Sequence, residues 1–257
     1  MKIDIFGMWV ESFDISAIAK QVTSQAAKGE NLMVVTPNVD HFLRWQKDAK
    51  FRKLYEMADY RLIDGMPILL LARLLSKGAS ERITGVDFSV KVVSEAHAMQ
   101  LPIALIGGSE NASQLARNNL LRSFPTLDIF YSATPSTSDL ANPVYLANLS
   151  KELARKEQKI VLLCLGSPKQ EQLYFNLNSI TSLTGAYLCV GGTIDFFANL
   201  VKRAPSFIQK LGFEWFYRFM QEPTRLFRRY FVSSFFFLPF LIKAIFQSFS
   251  AKFRKAK

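Results

Sequence analysis

The sequence predicts an α/β fold: a Rossmann-like, mostly parallel sheet flanked by helices, followed by a helical C-terminal appendage suited to docking on a membrane. Three observations predict it. Apolar runs of strand length, "KIDIF", "NLMVVT", "YRLID", "PIALIGG", "LDIFYSA", "KIVLLCLG" and "AYLCVGG", alternate with segments of helical period, the rhythm of strands joined by crossover helices. Most of these runs end in turn-forming residues: Pro37-Asn38, Asp64-Gly65, Gly107-Gly108-Ser109, Gly166-Ser167 and Gly191-Gly192-Thr193. Composition then shifts near residue 200, which divides the chain into a body, 1–200, and an appendage, 201–257.

Each element has a local reason. Asp14 caps "ISAIAKQVTSQAAK", and Ser138 or Asp139 is placed to start "LANPVYLANLSKELARK". "VDHFLRWQKDAKFRKLYEMA" reads as a helix after the second strand. Pro223 suits the first turn of a new helix, which sets Arg225, Arg228 and Arg229 at i, i+3 and i+4 on one face. The opening "MKIDIFGMWV" alternates like a strand, which argues against export by a signal peptide. Cys164 and Cys189 fall inside apolar runs and are expected to be buried, reduced thiols. His41 and His97 are the only histidines, and they assemble no zinc-ligand spacing with the cysteines.

Charge narrows the partners. A chain of 257 residues that is 49% hydrophobic buries a full core, and disorder is excluded. The net charge is +11, but residues 201–257 hold 12 Lys and Arg against 2 Asp and Glu, together with 16 of the 34 aromatic residues. A neutral body thus carries a basic, aromatic tail. Nucleic acid is one partner such charge admits, although the phenylalanine run is more apolar than a phosphate-tracking surface requires. From Tyr230 to Ile242 the chain has 13 uncharged residues, about 20 Å as a helix against about 30 Å of hydrocarbon, and Pro239 interrupts them. Such a segment fits peripheral docking on anionic lipid; a poor transmembrane helix read through Lys243 to Phe249, and packing on the body, are the competing readings.

In doubly wound sheets, ligands sit beyond the carboxyl ends of the strands. Glycines there let backbone approach a ligand, and each following helix offers N–H groups to an anion. A phosphate-bearing ligand is the natural expectation, although no complete G-x-G-x-x-G or P-loop occurs. Without that fingerprint, a dehydrogenase or nucleotide-sugar-modifying Rossmann enzyme is the rival enzymatic reading.

Taken together, "TPNVDHF", "LIDGMP", "ERITGVDF", "LGSPKQE", "GGTIDFFANLVKRAP" and "LGFEWFYRFMQEPTRLFRRY" resemble the WecG/TagA/CpsF family of bacterial glycosyltransferases over roughly residues 30–230. The resemblance implies inverting transfer of a hexose, of the N-acetylmannosamine type or glucose, from a UDP-sugar to a polyprenyl-diphosphate-linked saccharide. It implies a peripheral site of action at the cytoplasmic face of the cell membrane, in cell-surface polysaccharide synthesis such as teichoic acid or exopolysaccharide assembly. A homo-oligomer is left open, and nucleic acid is not an expected partner.

The resemblance also proposes roles. Asp64 matches the family's catalytic base, with an ordinary Asp-Gly turn as the competing reading. Thr36 and Asn38 match its "T-x-N" beside the base, where capping of the next helix is the alternative. His41 tempts as a second base but is expected to be a structural or rim residue, since the family's motif does not require histidine there. Arg82 aligns with a family arginine near the pocket, where it could pair with the diphosphate, with a solvated loop arginine as the alternative. Gly108 at a strand end, Lys169, Gln170 and Glu171 in "GSPKQE", and Thr193 and Asp195 in "GGTIDFF" are expected to bind the donor. For Glu171 and Asp195, favourable charge in a helix's first turn is the alternative. The chain contains no D-x-D triplet, so no metal cofactor is expected. Arg218, Arg225 and Arg228 match appendage arginines of the family, suited to balancing the diphosphate instead.

Overall fold

The computed structural model describes residues 1–76, 78–79, 81–205, 208, 214–221, 223–227 and 233–255. Six parallel strands form the central sheet: β3 (Leu32–Val35), β4 (Tyr60–Arg61), β5 (Ile103–Gly107), β6 (Ile129–Ala133), β7 (Ile160–Cys164) and β8 (Ala186–Cys189), in the order β4-β3-β8-β7-β5-β6. Successive residues of β3, β5, β7 and β8 enter opposite cores. Met33, Val35, Val161, Leu163, Tyr187 and Cys189 face one, and Leu32, Val34, Ile160, Leu162, Ala186 and Leu188 face the other. Burial on both faces is why these strands read as continuous apolar runs rather than as alternation. Cys164 and Cys189 are both buried and free, and burial pushes the Cys164 thiol up to about 12.

The helices divide between the two faces. α2 (Val39–Lys47), α3 (Ala49–Glu56), α4 (Met66–Leu75), α7 (Pro143–Ala154) and α8 (Lys169–Ile180) cover one. The other is covered by α1 (Ile15–Ala27), α5 (Gly85–Ala98), α6 (Glu110–Ser123) and α9 (Thr193–Phe197). Asp14 caps α1 as expected, its carboxylate accepting from the Ala17 N–H at 2.8 Å. Strand β3 feeds α2 and its neighbour β8 feeds α9 on the opposite face. Their carboxyl ends therefore mark the switch point of the sheet, where a doubly wound fold forms its ligand crevice.

Three local expectations are corrected. "KIDIF" does not join the parallel sheet. It is β1 (Lys2–Ile5), paired antiparallel with β2 (Met8–Glu11) across a two-residue turn in which Phe6 and Gly7 both have positive φ, 54° and 88°; such a turn matches the twist of the arms. The segment after β3 is two helices, because the Asp48 backbone is extended and its side chain caps α3. α7 starts at Asn142-Pro143 rather than at Ser138 or Asp139, which belong to a preceding turn hydrogen-bonded to Ser136.

The hairpin closes the β4 edge through a bridge from Glu11 to Leu62. Beneath it the buried Arg61 donates to the Tyr55 carbonyl from Nε at 3.0 Å and Nη2 at 2.5 Å, and stacks 3.5 Å over the Trp9 ring. Burial pulls Arg61 down to about 10, with Glu11 the leading opposing charge, so the guanidinium remains charged at neutral pH.

After residue 200, α10 (Glu214–Gln221) is followed by α11 (Pro223–Phe227), which begins at Pro223 as expected, and by α12 (Ser233–Lys255). α12 lies against α2 and α4. Its Phe237, Phe240, Leu241 and Ala244, spaced at helical period, join the body's core. Phe42 meets Phe237 and Phe240 edge-on with centroids 5.6 and 4.9 Å apart. The Phe-rich run is thus partly a packing surface, while Phe235, Phe236, Leu238, Ile242 and Phe246 remain exposed. Among the described residues, no helix is long and apolar enough to cross a membrane.

Candidate active site

The crevice is assembled from strand ends. Parallel pairing carries on past β3 and β4, with the Leu62 N–H donating to the Val35 carbonyl at 2.9 Å and the Asp64 N–H to the Pro37 carbonyl at 3.1 Å. Asp64 is thereby fixed beside the Thr36-Pro37-Asn38 turn. Gly65, at φ 90°, turns the chain into α4, and a Cβ there would lie 4.0 Å from the Asn38 Cβ. Backbone hydrogen bonds thus bring the three residues expected to do the chemistry side by side.

Asn38 also caps α2. Its Oδ1 accepts from the N–H groups of Asp40 at 3.0 Å and His41 at 3.4 Å, and its own N–H donates to His41 Nδ1 at 3.2 Å, completing a capping box. His41 has the structural role expected of it. Thr36 is buried, and the N-terminus of α5 presses onto it: a Cβ on Gly85 would meet Thr36 Oγ1 at 3.3 Å and the Val190 carbonyl at 3.4 Å. Glycine at that position lets α5 close the floor between β3 and β8.

The opposite wall comes from α8 and the β8 turn. Gln170 is buried, accepting from the Gly191 N–H at 3.0 Å and donating to Glu171 Oε1 at 3.1 Å. Thr193 is buried with its hydroxyl donating to the Val190 carbonyl at 2.8 Å. Both polar groups fasten the wall together. Glu171 is 1% exposed, and its Oε2 has no hydrogen-bond partner among the described residues. Burial raises its pKa, against the Gln170 hydrogen bond and the charge of Arg44. Glu171 and Asp64 both bear electrostatically on the Tyr55 hydroxyl, whose pKa is driven up chiefly by burial.

The remaining predicted residues make contacts of their own. Gly108, at φ 74°, has no room for a side chain, since a Cβ would stand 2.7 Å from Ile194 Cγ2. Lys169 is exposed and donates to Thr137 Oγ1 at 2.9 Å, toward the β6–α7 connection. Asp195, half-buried in α9, lies close enough to Cys164 to influence its thiol. Arg82 is half-buried and adds its charge to the field at Asp87. Arg218 and Arg225 occupy α10 and α11, while Arg228 and Arg229 lie outside the described residues. Among the described residues, no three His, Cys, Asp or Glu side chains gather as a metal site.

Two site-adjacent residues escaped the sequence reading. Asp87 receives both arms of Arg203, at 2.5 and 3.0 Å, and the Thr84 hydroxyl at 2.7 Å. The T-x-x-D spacing of Thr84 and Asp87 was a readable helix-start signal, but its arginine lies 116 residues away. Compared with known families, the chain matches, over residues 3–251, the model described as Glycosyl transferase WecG/TagA/CpsF family.

Proposed function

The chain belongs to the WecG/TagA/CpsF glycosyl transferase family, and on that premise we propose that it is a membrane-associated, inverting hexosyltransferase acting in polysaccharide synthesis. The donor is a UDP-sugar and the acceptor a polyprenyl-diphosphate-linked saccharide. The observation that supports this reading is the hydrogen bond from the Asp64 N–H to the Pro37 carbonyl, which sets Asp64 beside Thr36 and Asn38 at the strand ends. A carboxylate so fixed takes the proton of the acceptor hydroxyl as that oxygen attacks the anomeric carbon. The bond to the UDP oxygen breaks on the opposite face, which inverts the centre. Thr36 and Asn38, beside the base, orient the acceptor or sugar hydroxyls.

The departing diphosphate gathers negative charge that needs a counter-charge. With no D-x-D triplet in the chain, we assign that task to Arg218, Arg225 and Arg228, with Arg82 and Lys169 as further cations.

Support for the membrane surface comes from the outward sides of α12 and α4. Phe235, Phe236, Leu238, Ile242 and Phe246 of α12 are exposed, as are Met66 and Leu70 of α4 against which α12 packs. The cations Lys47 and Lys243 lie over Phe236 and Phe6 at 4.2 and 5.3 Å. An apolar face edged by cations suits an anionic bilayer at the cytoplasmic side. Because α4 begins two residues after Asp64, docking there holds the base near the headgroups, where a lipid-linked diphosphate presents its sugar. The test is a panel of UDP-sugars assayed against polyprenyl-diphosphate saccharides in vesicles. Transfer with inverted anomeric configuration is expected; binding of a nicotinamide dinucleotide, with no transfer from any UDP-sugar, would favour the Rossmann-enzyme alternative.

A further inference from the structure

The root of the appendage is held from two sides at adjacent residues. On the body side, Arg203 grips Asp87 through a two-pronged ion pair at 2.5 and 3.0 Å. Asp87 is itself braced, since the Thr84 hydroxyl donates to its Oδ2 at 2.7 Å and its N–H donates back to Thr84 Oγ1 at 3.1 Å. On the appendage side, Gln221, the last residue of α10, pairs with the backbone of Lys202 as a neighbouring strand would. Its Oε1 accepts from the Lys202 N–H at 3.3 Å, and its Nε2 donates to the Lys202 carbonyl at 3.2 Å.

Asp87 lies in the first turn of α5, the helix whose Gly85 rests on Thr36 and Val190 at the crevice floor. The connection therefore runs from the floor through Thr84, Asp87, Arg203 and Lys202 to Gln221, and so to the helices that carry Arg218 and Arg225. Burial alone would raise the Asp87 carboxyl, but the hydrogen bonds of Arg203 and Thr84 and the charges of Arg203 and Arg82 hold it below the usual range. The pair thus stays ionised at neutral pH, and with side chains only 30% and 35% exposed it is less screened than a surface pair.

We propose that Asp87, Arg203 and Gln221 are positioning residues, two latches in series that set α10 and α11 against the mouth of the crevice. The proposal rests on the reading that these helices serve the transfer reaction. Series connection has a distinctive signature, because opening either latch frees the same helices and opening the second adds nothing.

The experiment uses the full chain with Asp87→Asn, Arg203→Lys, Gln221→Leu and the double variant Asp87→Asn/Gln221→Leu. Asp87→Asn and Arg203→Lys should each lower kcat/KM at least about 10-fold, the scale of one charge-assisted hydrogen bond, and Gln221→Leu roughly 3- to 10-fold, the scale of a neutral one. Arg203→Lys should fail to substitute, because an ammonium cannot span both carboxylate oxygens. Hydrogen exchange should rise across 214–221 and stay unchanged in β3 and β8. The double variant should fall within about 2-fold of the worse single one. Losses that multiply in the double variant, exchange that rises equally in the sheet, or faster exchange at 214–221 with unchanged kcat/KM would each overturn the proposal. An active Arg225→Ala protein beside impaired latch variants would instead overturn the arginine assignment and leave the latch standing.

Discussion

Replacing Phe235 and Phe246 together by serine separates the two faces of α12. These rings are 74% and 68% exposed, so their removal costs the folded protein little, within about 0.5 kcal/mol per site for surface positions. Burying a phenylalanine is worth about 1.5–3 kcal/mol. Scaled by these exposures, the two rings offer a bilayer about 2–4 kcal/mol, a 30- to 700-fold difference in partitioning at about 1.4 kcal/mol per decade. Phe237, 4% exposed and edge-on to Phe42, is the contrasting position. Phe237→Ala should cost about 3–5 kcal/mol, roughly 6–20 °C in Tm for a chain of this size. Thermal unfolding and sedimentation with anionic vesicles read the two effects separately. The outer double variant should melt with the parent and leave the vesicles, whereas the inner variant should melt early. An outer variant that sediments as well as the parent would refute lipid contact by this face; one that melts as early as Phe237→Ala would show that the face is packed. Simple truncation before α12 is a poorer test, because it also strips the rings that cover Phe42.

Asp64→Asn should reduce turnover at least ~100-fold, the scale of a general base, while UDP affinity by calorimetry stays within a few-fold; retained activity would make Asp64 a turn residue only. Activity should survive EDTA, and complete loss restored by Mg²⁺ or Mn²⁺ would show that the arginines do not replace a metal. Lys159, buried with Nζ donating to the Lys156 carbonyl at 2.6 Å and Thr184 Oγ1 at 2.9 Å, is pulled from 10.5 to about 8 by burial. Between those values the unfolded chain binds the extra proton, so this group's contribution to stability rises with pH by up to roughly 2–3 kcal/mol. The stability difference between the parent and Lys159→Met, from urea unfolding at pH 7 to 10, should therefore shift toward the parent across that window, and a flat difference would refute it.

The parallel sheet was legible because burial on both faces leaves its mark in the chain: "IVLLC" and "AYLC" have no polar side to confuse the reading. The hairpin was less so. Its turn uses Phe6-Gly7, and phenylalanine at positive φ is no turn signal, so "KIDIF" resembled one more parallel strand. The break at Asp48 was hidden because α2 and α3 keep the same apolar face toward one core, and periodicity alone runs straight through it. At α7, Ser138, Asp139 and Asn142 are all capping residue types; Asn142 wins because Pro143 is pre-set for a first turn, while the earlier pair is already committed to Ser136.

In the site, position was more legible than role. Thr36, Asn38, Asp64, Gly108, Gln170, Glu171 and Thr193 do gather at the carboxyl ends of the strands, as the topology of a doubly wound sheet requires. What one sequence cannot display is which polar groups are consumed holding the crevice open. Gln170 and Thr193 have the residue types of ligand contacts, yet the Gly191 N–H and the Val190 carbonyl need partners where strand pairing ends, and these side chains supply them. A strand end that exposes backbone to a ligand first creates unpaired backbone groups of its own, so part of any such cluster must serve the scaffold. Asn38 shows the same demand on a third residue type, since its Oδ1 is spent capping α2, the alternative that its place before that helix already offered.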